Sequence, residues 1–402
     1  MIFRIRNTIF IIGILFTSWM GWHIYGYFFD ISTPTVTLDG IQENEYYSGD
    51  VLCTVSGKHR YKIADVSIWL DNKPIISKFR INKRSFSHSF PIATKTLSDG
   101  KHVIKAEVTD GTKNKNVSTK ELIVGIDNTS LQAAFVRPSQ QYLIPQGQTF
   151  HIQFQVNKPI KKAQIQALAK GFDGYPEAPR SLIYECFIPV SCEEAPNEYP
   201  FTIEIDDHVG NRVNLEGKFQ VMPFQFKQRN ILHVSKDKVT TEKEIGDSQA
   251  LLEERLNELL KNSPPKKLWN GLFIIPAAHI SFSCPFGEVR TTQEKGRYIH
   301  SGLDIIASPK SVVWAPQDGM VVLKDRFAFS GNTVVVDHGL GIFSLFFHLD
   351  SFADINTNTP IKKGNPIGTV GKTGYATGYH LHWELRIGNV PVEPLQWTRT
   401  GF

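Results

Sequence analysis

The sequence predicts a mostly β protein of several domains that follow an N-terminal apolar helix. Its 402 residues exceed the usual size of one domain, about 100 to 200 residues. Hydrophobic residues make up 41% and charged residues 21% of the chain, which excludes wholesale disorder, a collagen-like chain and a multi-span membrane protein. Most of the chain alternates short runs of β-forming residues with turn residues, so helices are expected only at the N-terminus and in one linker.

The charge balance and the cysteine count exclude two further classes. Lys and Arg number 44 against 39 Asp and Glu, and this net charge of +5 is too small to indicate a nucleic-acid-binding protein. Four Cys in the whole chain cannot form a disulfide-dense scaffold. We therefore expect no nucleic-acid partner and domains that are stabilised by their hydrophobic cores.

The N-terminal segment, residues 1–30, is predicted to be a membrane anchor. Residues 8–29 carry no formal charge, and as a helix they would span about 33 Å, enough for a bilayer core. Arg4 and Arg6 precede this stretch and no Lys or Arg occurs in residues 7–57, so the positive-inside rule places the N-terminus in the cytoplasm. A cleaved signal peptide has the same basic start, but no small-residue cleavage site is evident. We expect an uncleaved transmembrane helix in the inner or cytoplasmic membrane, with the remainder in the periplasm or cell-wall space.

Two β domains are predicted after this helix, in residues 31–127 and 128–223. Each contains short β-type runs separated by turns, about seven in the first domain. Cys53 and Trp69 lie where an immunoglobulin domain has a Cys and a Trp, but no second Cys follows before Cys186. The segments therefore resemble the immunoglobulin-like modules of bacterial surface proteins, and each is expected to be a β-sandwich. Cys186 and Cys192 are close enough in sequence for a disulfide loop, although a pair of unlinked thiols fits equally well.

A helical linker is predicted in residues 224–268, before the C-terminal domain. Within residues 248–262, five Leu fall on one stripe of a helix, and Pro264 and Pro265 end it. We expect this helix to pack on a neighbouring domain. A coiled-coil dimer is the alternative, but two heptads are too few to argue for it.

Histidine is concentrated near the C-terminus, where five of the 13 His lie within residues 300–382, together with Asp304. Imidazole is the commonest protein metal ligand, and a carboxylate can complete a three-ligand catalytic zinc site that leaves the fourth position to water. His380 and His382 are two residues apart in a β-type run, so both side chains face the same side of the strand. Gly302 permits a turn between His300 and Asp304, so that both can reach one ion.

The order and spacing of these residues resemble the lysostaphin and LytM type of zinc metallopeptidases, which cut peptidoglycan peptides. The family hallmarks are H-x-x-x-D, a later Y-x-H-L, and H-x-H after a T-G-rich turn. This chain has HSGLD at 300–304, FFHL at 346–349 and TGYATGYHLHWEL at 373–385. The resemblance covers about residues 272–397 and implies that residues 269–402 form an antiparallel β metallopeptidase domain with a groove.

Carried over by position, the resemblance implies that His300, Asp304 and His382 bind Zn²⁺. It also places His348 and His380 beside the open coordination position. His380 would act as general base on water, while His348 would stabilise the oxyanion or protonate the leaving amine, and spacing alone does not divide these roles.

Two further positions of the motif region, Phe346 and His338, are not expected to bind the metal. Phe346 stands where the family often has Tyr, which removes a phenol donor but no metal ligand. His338 matches a structural turn of the family, and we expect it to be no ligand.

The resemblance implies a membrane-anchored, exported zinc metalloendopeptidase that hydrolyses peptide bonds in peptidoglycan cross-links or stem peptides. The expected partners are peptidoglycan peptides, the membrane through the N-terminal helix, and protein regulators. One alternative is a catalytically inactive scaffold or activator of other cell-wall hydrolases, although such relatives usually lack zinc ligands that are present here. Another is a biotinyl- or lipoyl-like carrier domain, which suits the hairpins near residues 315–319 and 363–368 but leaves the His and Asp cluster unexplained.

Overall fold

The computed structural model describes residues 2–137, 141–230, 236–292 and 296–402. By their internal contacts these residues divide into two compact units. The first unit comprises Met1–Leu131 and Asp207–Asn211, and the second comprises Gln132–Asp206 and Arg212–Phe402. Strands account for 52% and helices for 12% of the residues, which confirms the mostly β class.

The N-terminal segment forms helix α1, Ile2–Phe29. Within the described residues, no helix combines the length and the apolar character that crossing a bilayer requires. The transmembrane span over residues 8–29 stays a prediction.

The first unit contains one six-stranded sheet in the order β1-β3-β5-β6-β2, with β4 paired to β3. Its longest strands, β3 and β4, have 21 residues each and form a hairpin, whereas the sequence predicted about seven short strands. The polar residues 58–62 resemble a turn, but the strand continues through them by a register shift, as β-bulges allow. The strands are β1 (Thr35–Asp39), β2 (Tyr46–Tyr47), β3 (Asp50–Leu70), β4 (Lys73–Ala93), β5 (Gly100–Asp110) and β6 (Val117–Ile126).

The first part of the second unit has two sheets, with strand orders β11-β10-β14-β15-β8 and β12-β13-β9-β7. Phe150 of β9 packs on Phe219 of β15 and Phe201 of β14, with ring centroids 4.6 and 5.6 Å apart, so the two sheets pack face to face. The immunoglobulin-like class of both modules stays a prediction. The strands are β7 (Ala133–Phe135), β8 (Leu143–Pro145), β9 (Thr149–Val156), β10 (Lys162–Ala167), β11 (Lys170–Asp173), β12 (Tyr175–Pro176), β13 (Ile183–Pro189), β14 (Glu198–Asp206) and β15 (Arg212–Met222).

All four cysteines of the chain are free. Cys186 is buried in β13, and Cys192 lies just after that strand. Of the two alternatives that the sequence left open for this pair, the structure has the unlinked thiols.

The linker contains strand β16, Gln228–Asn230, and helix α2, Lys236–Lys261. The helix therefore begins 12 residues before the predicted start at 248. The added residues are rich in Lys and Glu, which favour helix, but they lack the apolar stripe on which the prediction was based. Leu252 and Leu256 are buried and pack in one core cluster with Phe343 and Phe347 of the C-terminal domain.

The C-terminal domain is built on an eight-stranded sheet in the order β17-β20-β27-β24-β23-β22-β25, with β28 paired to β27, and every pairing in it is antiparallel. Phe346 and Trp383 face each other on neighbouring strands and are fully buried in the main core cluster. The elements are β17 (His279–Cys284), β18 (Val289–Thr292), β19 (Gly296–Ile299), β20 (Leu303–Ala307), β21 (Val312–Trp314), β22 (Gly319–Phe327), β23 (Gly331–Asp337), β24 (Ile342–Leu349), β25 (Thr359–Ile361), β26 (Pro366–Thr369), β27 (Leu381–Ile387), β28 (Val390–Val392) and α3 (Pro394–Arg399).

Candidate metal centre and active site

The five site residues predicted from the sequence line a single pocket, which has a volume of about 430 Å³. The pocket lies where strands β20, β27 and β24 run side by side. Asp304 of β20 is the register partner of His382 of β27, and His382 is in turn the partner of Phe347, next to His348. Strand pairing thus brings together side chains that are up to 82 residues apart in sequence.

Three of these side chains, those of His300, Asp304 and His382, lie close together, and each is only 7 or 8% exposed. Asp304 Oδ1 lies 3.1 Å from His300 Nε2 and 2.8 Å from His382 Nδ1. The two imidazole nitrogens are 3.1 Å apart. Three ligand atoms therefore converge on one point.

The other nitrogen of each imidazole is engaged outside this cluster. His300 Nδ1 donates to the carbonyl oxygen of Pro285 at 3.0 Å, and His382 Nε2 donates to Glu384 Oε1 at 3.0 Å. Such bonds fix the ring orientation and tautomer of metal-binding histidines and leave the inward nitrogen as an acceptor.

When both inward nitrogens are unprotonated, the cluster presents three acceptor atoms to one another, an arrangement that a cation between them stabilises. Ligand atoms on a tetrahedral zinc ion lie about 3.3 Å apart, close to the separations found here. Two imidazole nitrogens and a carboxylate oxygen are also donors that zinc accepts. The residues present fit a bound zinc ion.

The pKa shifts of His382 and Asp304 in the metal-free cluster agree with a zinc site. Burial lowers the pKa of His382, but hydrogen bonds with Asp304 and Glu384 outweigh burial and raise it to about 9. Burial raises the pKa of Asp304, but hydrogen bonds from His300 and His382 hold it far below its usual range. Without a metal, a proton on His382 supplies the positive charge, so metal binding must release that proton.

His348 and His380 lie side by side, with ring centroids 4.9 Å apart. Their Nδ1 atoms donate to the carbonyl oxygens of Thr373 and Gly378, each at 2.9 Å, which leaves both Nε2 atoms as acceptors. His380 Nε2 is 3.7 Å from Asp304 Oδ1, so it borders the ligand cluster.

His348 is the more constrained of these two histidines. Its backbone has a φ of 63°, a left-handed conformation that is uncommon for a residue other than glycine and that is concentrated at functional sites. Burial, together with the nearby His382 and His380, lowers the pKa of His348 to about 3. The ring is therefore neutral near pH 7.

Glu384 and Arg386 received no role from the sequence, yet both belong to the site. Glu384 accepts from His382, from Ser301 Oγ at 2.5 Å and from Arg386 Nε at 2.6 Å. The sequence contained a pattern that indicates this, because residues 382, 384 and 386 are spaced two apart along β27 and so share one face of the strand.

Cys284 also lies beside the cluster. Its Sγ is within 4.8 Å of ligand atoms of His300 and Asp304, and Cys284 is the register partner of Asp304 in β17. Burial raises the pKa of this thiol to about 12, so it stays protonated near neutral pH.

Gly302 contributes in a different way from the one predicted. A Cβ atom at this position would lie 2.7 Å from the carbonyl oxygen of Trp383, 2.8 Å from His382 Nε2 and 2.9 Å from Glu384 Cγ. The residue is required for the close approach of β27, and its φ is not in the left-handed region, so a special turn is not the reason for glycine.

His338, the remaining histidine of the cluster in sequence, lies outside the pocket lining. Its Nδ1 donates to the carbonyl oxygen of Asp318 at 2.8 Å, and Ser344 Oγ donates to its Nε2 at 2.9 Å. It is fully buried and packs edge to face on Phe273. The structure assigns it to the core.

Comparisons with known proteins agree with the geometry of the C-terminal domain. Residues 298–394 match Peptidase family M23. The DD-carboxypeptidase/endopeptidase Mpg of Neisseria meningitidis serogroup B is 36% identical over 125 residues, which are 31% of this chain and 29% of that protein. The peptidoglycan DD-endopeptidase ShyC of Vibrio cholerae is 34% identical over 95 residues, or 24% of this chain and 22% of ShyC.

A third relative has a different kind of name. The murein hydrolase activator EnvC of Escherichia coli is 34% identical over 105 residues, which are 26% of this chain and 25% of EnvC. This chain therefore spans less than a third of the length of these relatives. All five site residues fall within the matched segment, and the predicted lysostaphin and LytM resemblance is confirmed: the C-terminal part of this chain, residues 298–394, is a peptidase family M23 domain.

Proposed function

We propose that this protein is an exported zinc metalloendopeptidase that hydrolyses peptide bonds in peptidoglycan. The observation that carries the proposal is the convergence of the ligand atoms of His300, Asp304 and His382 beside His348 and His380 in one pocket. The matched relatives Mpg and ShyC are named for peptidase activities of this kind, which supports peptidoglycan peptides as the substrate class.

His300, Asp304 and His382 would hold the zinc ion, with two nitrogen donors and one oxygen donor. When bound, zinc supplies Lewis-acid activation of water and of the scissile carbonyl. The carbonyl of Pro285 and the carboxylate of Glu384 keep both imidazole rings in the orientation that this requires.

His380 and His348 would handle the protons. The Nε2 of His380 is an acceptor beside the ligand cluster, so we assign it as the general base that takes a proton from the attacking water. His348 is held neutral by burial, so it would take up that same proton from His380 only as negative charge builds on the substrate beside it. Either imidazolium can then protonate the leaving amine.

The exported location belongs to this proposal, because peptidoglycan lies outside the cytoplasm. The distribution of Arg and Lys around residues 8–29 supports the same orientation. Attachment to the membrane through this segment is tested by extracting cell membranes with carbonate and by accessibility of the C-terminal domain to protease in spheroplasts.

The second candidate is an activator of other cell-wall hydrolases, which the similarity to EnvC favours. The intact ligand cluster argues against it. The two functions differ in what the purified protein does alone, since an activator releases peptidoglycan fragments only when a second hydrolase is added.

The deciding experiment incubates the full chain with cross-linked peptidoglycan and identifies new amino termini by mass spectrometry. His300→Ala should lose both zinc and activity, whereas His380→Ala should keep zinc and lose activity. Cleavage by both variants would refute the site. Failure of the wild-type protein to bind zinc or to release fragments would refute the enzyme and leave the activator.

A further inference from the structure

Helix α2 is fixed to the strand that carries His382. Both carboxylate oxygens of Glu253, in the middle of α2, accept from Nη1 of Arg386, at 2.9 and 2.8 Å. Arg386 is only 6% exposed, whereas the Glu253 side chain is 31% exposed, so the ion pair joins a buried cation to a partly exposed carboxylate. A helix outside the M23 segment thus supplies the carboxylate partner of a buried arginine in the catalytic domain.

The contacts continue from Arg386 to the metal-site imidazole. Arg386 Nε donates to Glu384 Oε2 at 2.6 Å, and Glu384 Oε1 accepts from His382 Nε2 at 3.0 Å. The opposite nitrogen of His382 is the one that faces Asp304. Glu253, Arg386, Glu384 and His382 therefore form one continuous chain of hydrogen bonds that ends at a metal ligand.

Negative and positive side chains alternate along this series of hydrogen bonds, and the alternation affects the metal ligand His382. A carboxylate that accepts from a metal-binding imidazole increases the basicity of the imidazole and fixes its orientation. Arg386 opposes that effect, because its positive charge stabilises the negative charge of Glu384 and makes this carboxylate a weaker acceptor for His382. Glu253 partly offsets the charge of Arg386 from the other side, and where the network is buried such effects pass from one hydrogen-bonded pair to the next.

The same helix also supports the face of the imidazole ring. Phe347 stacks on His382, with centroids 5.1 Å apart and an angle of 12° between the planes. Phe347 belongs to the core cluster that Leu252 and Leu256 of α2 complete. Helix α2 is thus linked both to the Nε2 edge and to the face of His382.

We infer that helix α2 is part of the metal centre and that Glu253 is a positioning residue, which acts through Arg386 and Glu384 to set the orientation of His382. This inference rests on the proposed function, since it requires that His382 binds zinc. It assigns to the linker a role in catalysis in addition to its role in connecting domains.

Glu253→Gln tests the inference in the full-length protein, with Glu254→Gln as the matched control on the exposed side of α2. Gln keeps an acceptor for Arg386 but removes the charge. We expect the zinc dissociation constant, measured by competition with a chromophoric chelator, to rise about three- to tenfold in Glu253→Gln and to stay unchanged in the control. The visible absorption spectrum of the Co²⁺-loaded protein should shift only in Glu253→Gln.

A double-mutant cycle with Glu384→Gln tests whether Glu253 acts on His382 through Glu384. Glu384→Gln alone should weaken zinc binding by about 10- to 100-fold, and Glu253→Gln should add nothing in that background. Additive effects would overturn the path through Glu384. Thermal unfolding of the metal-free variants completes the test, because a lower melting temperature with unchanged zinc affinity and Co²⁺ spectrum would mean a merely structural contact.

The experiment separates this inference from the proposed function. If the wild-type protein binds zinc and cleaves peptidoglycan but Glu253→Gln behaves like Glu254→Gln, only the inference fails. If the wild-type protein does neither, the proposed function fails and the inference falls with it.

Discussion

His338, directly after β23, and His382, in β27, are both buried histidines of the C-terminal domain, yet the structure gives them opposite properties. Both rings have partners at both nitrogens. The partners of His338 are a carbonyl and a hydroxyl group, and burial lowers its pKa to about 4. The partners of His382 are two carboxylates, and they raise its pKa to about 9 against the effect of burial.

The comparison shows that burial does not distinguish a structural histidine from a metal-site histidine. The charge of the partners does, because carboxylates stabilise a cation at the imidazole whereas neutral groups do not. The following changes test this distinction, beginning with the largest expected effect.

His382→Ala should abolish function, whereas His338→Asn should not. Loss of a ligand removes zinc from the site and should reduce the rate of peptidoglycan cleavage at least about a thousandfold. His338→Asn should keep stoichiometric zinc, measured by atomic emission of the purified protein, although its stability falls. Loss of zinc from His338→Asn in a folded protein would contradict the comparison.

Acid should destabilise the protein through His338. Its pKa is about 4 in the folded state, below the ordinary value of 6.5, so between these values the unfolded state binds a proton that the folded state does not. The contribution of His338 is complete above pH 6.5, and about 3 kcal/mol should be lost as the pH falls to 4.

Urea unfolding at several pH values measures this effect. The control is His338→Asn, which has no titrating ring at this position and should show a shallower fall in stability over the same range. Equal slopes in the two proteins would show that His338 is not the group responsible.

Gly302→Ala should disturb His382 without removing any ligand. The new methyl group would meet the carbonyl of Trp383 and the Nε2 atom of His382, so the hydrogen bond to Glu384 must break. We expect zinc affinity to fall about 10- to 100-fold. Gly246→Ala, where a Cβ atom meets nothing within 4 Å, should leave zinc affinity unchanged in the same chelator competition.

The smallest effects are expected from the substitution of two serines, one that donates to His338 and one that donates to Glu384. Ser344→Ala removes the donor to His338 and should lower the free energy of unfolding by about 1 kcal/mol without changing zinc affinity. Ser301→Ala removes a donor to Glu384 and should change zinc affinity instead. A change of zinc affinity in Ser344→Ala would show that the two networks are coupled.

The motifs predicted the site better than the patterns predicted the strands. HSGLD, FFHL and HLH name side chains with particular chemistry, and the structure brings the five chosen residues into one pocket. The long hairpin of β3 and β4 was missed because a bulge lets a strand continue through turn-like residues. The early start of α2 was missed because its first turns show no apolar stripe.

Glu384 shows where the sequence contained a signal that remained unused. Its position two residues after His382 in a strand already predicts that both share one face. Glu253 carried no such signal, since it lies 133 residues from Arg386 and the ion pair exists only after α2 packs on the sheet.

The sequence by itself determined which side chains are available for metal binding and proton transfer, because imidazole and carboxylate chemistry is local and the motif spacing is characteristic. Only the tertiary structure decided which nitrogen of each histidine faces the cluster, which groups hydrogen-bond to His338 in the core, and that α2 contacts the hydrogen-bond network of His382. These properties depend on hydrogen-bond partners from distant strands and helices, and strand pairing and core packing alone bring those partners together.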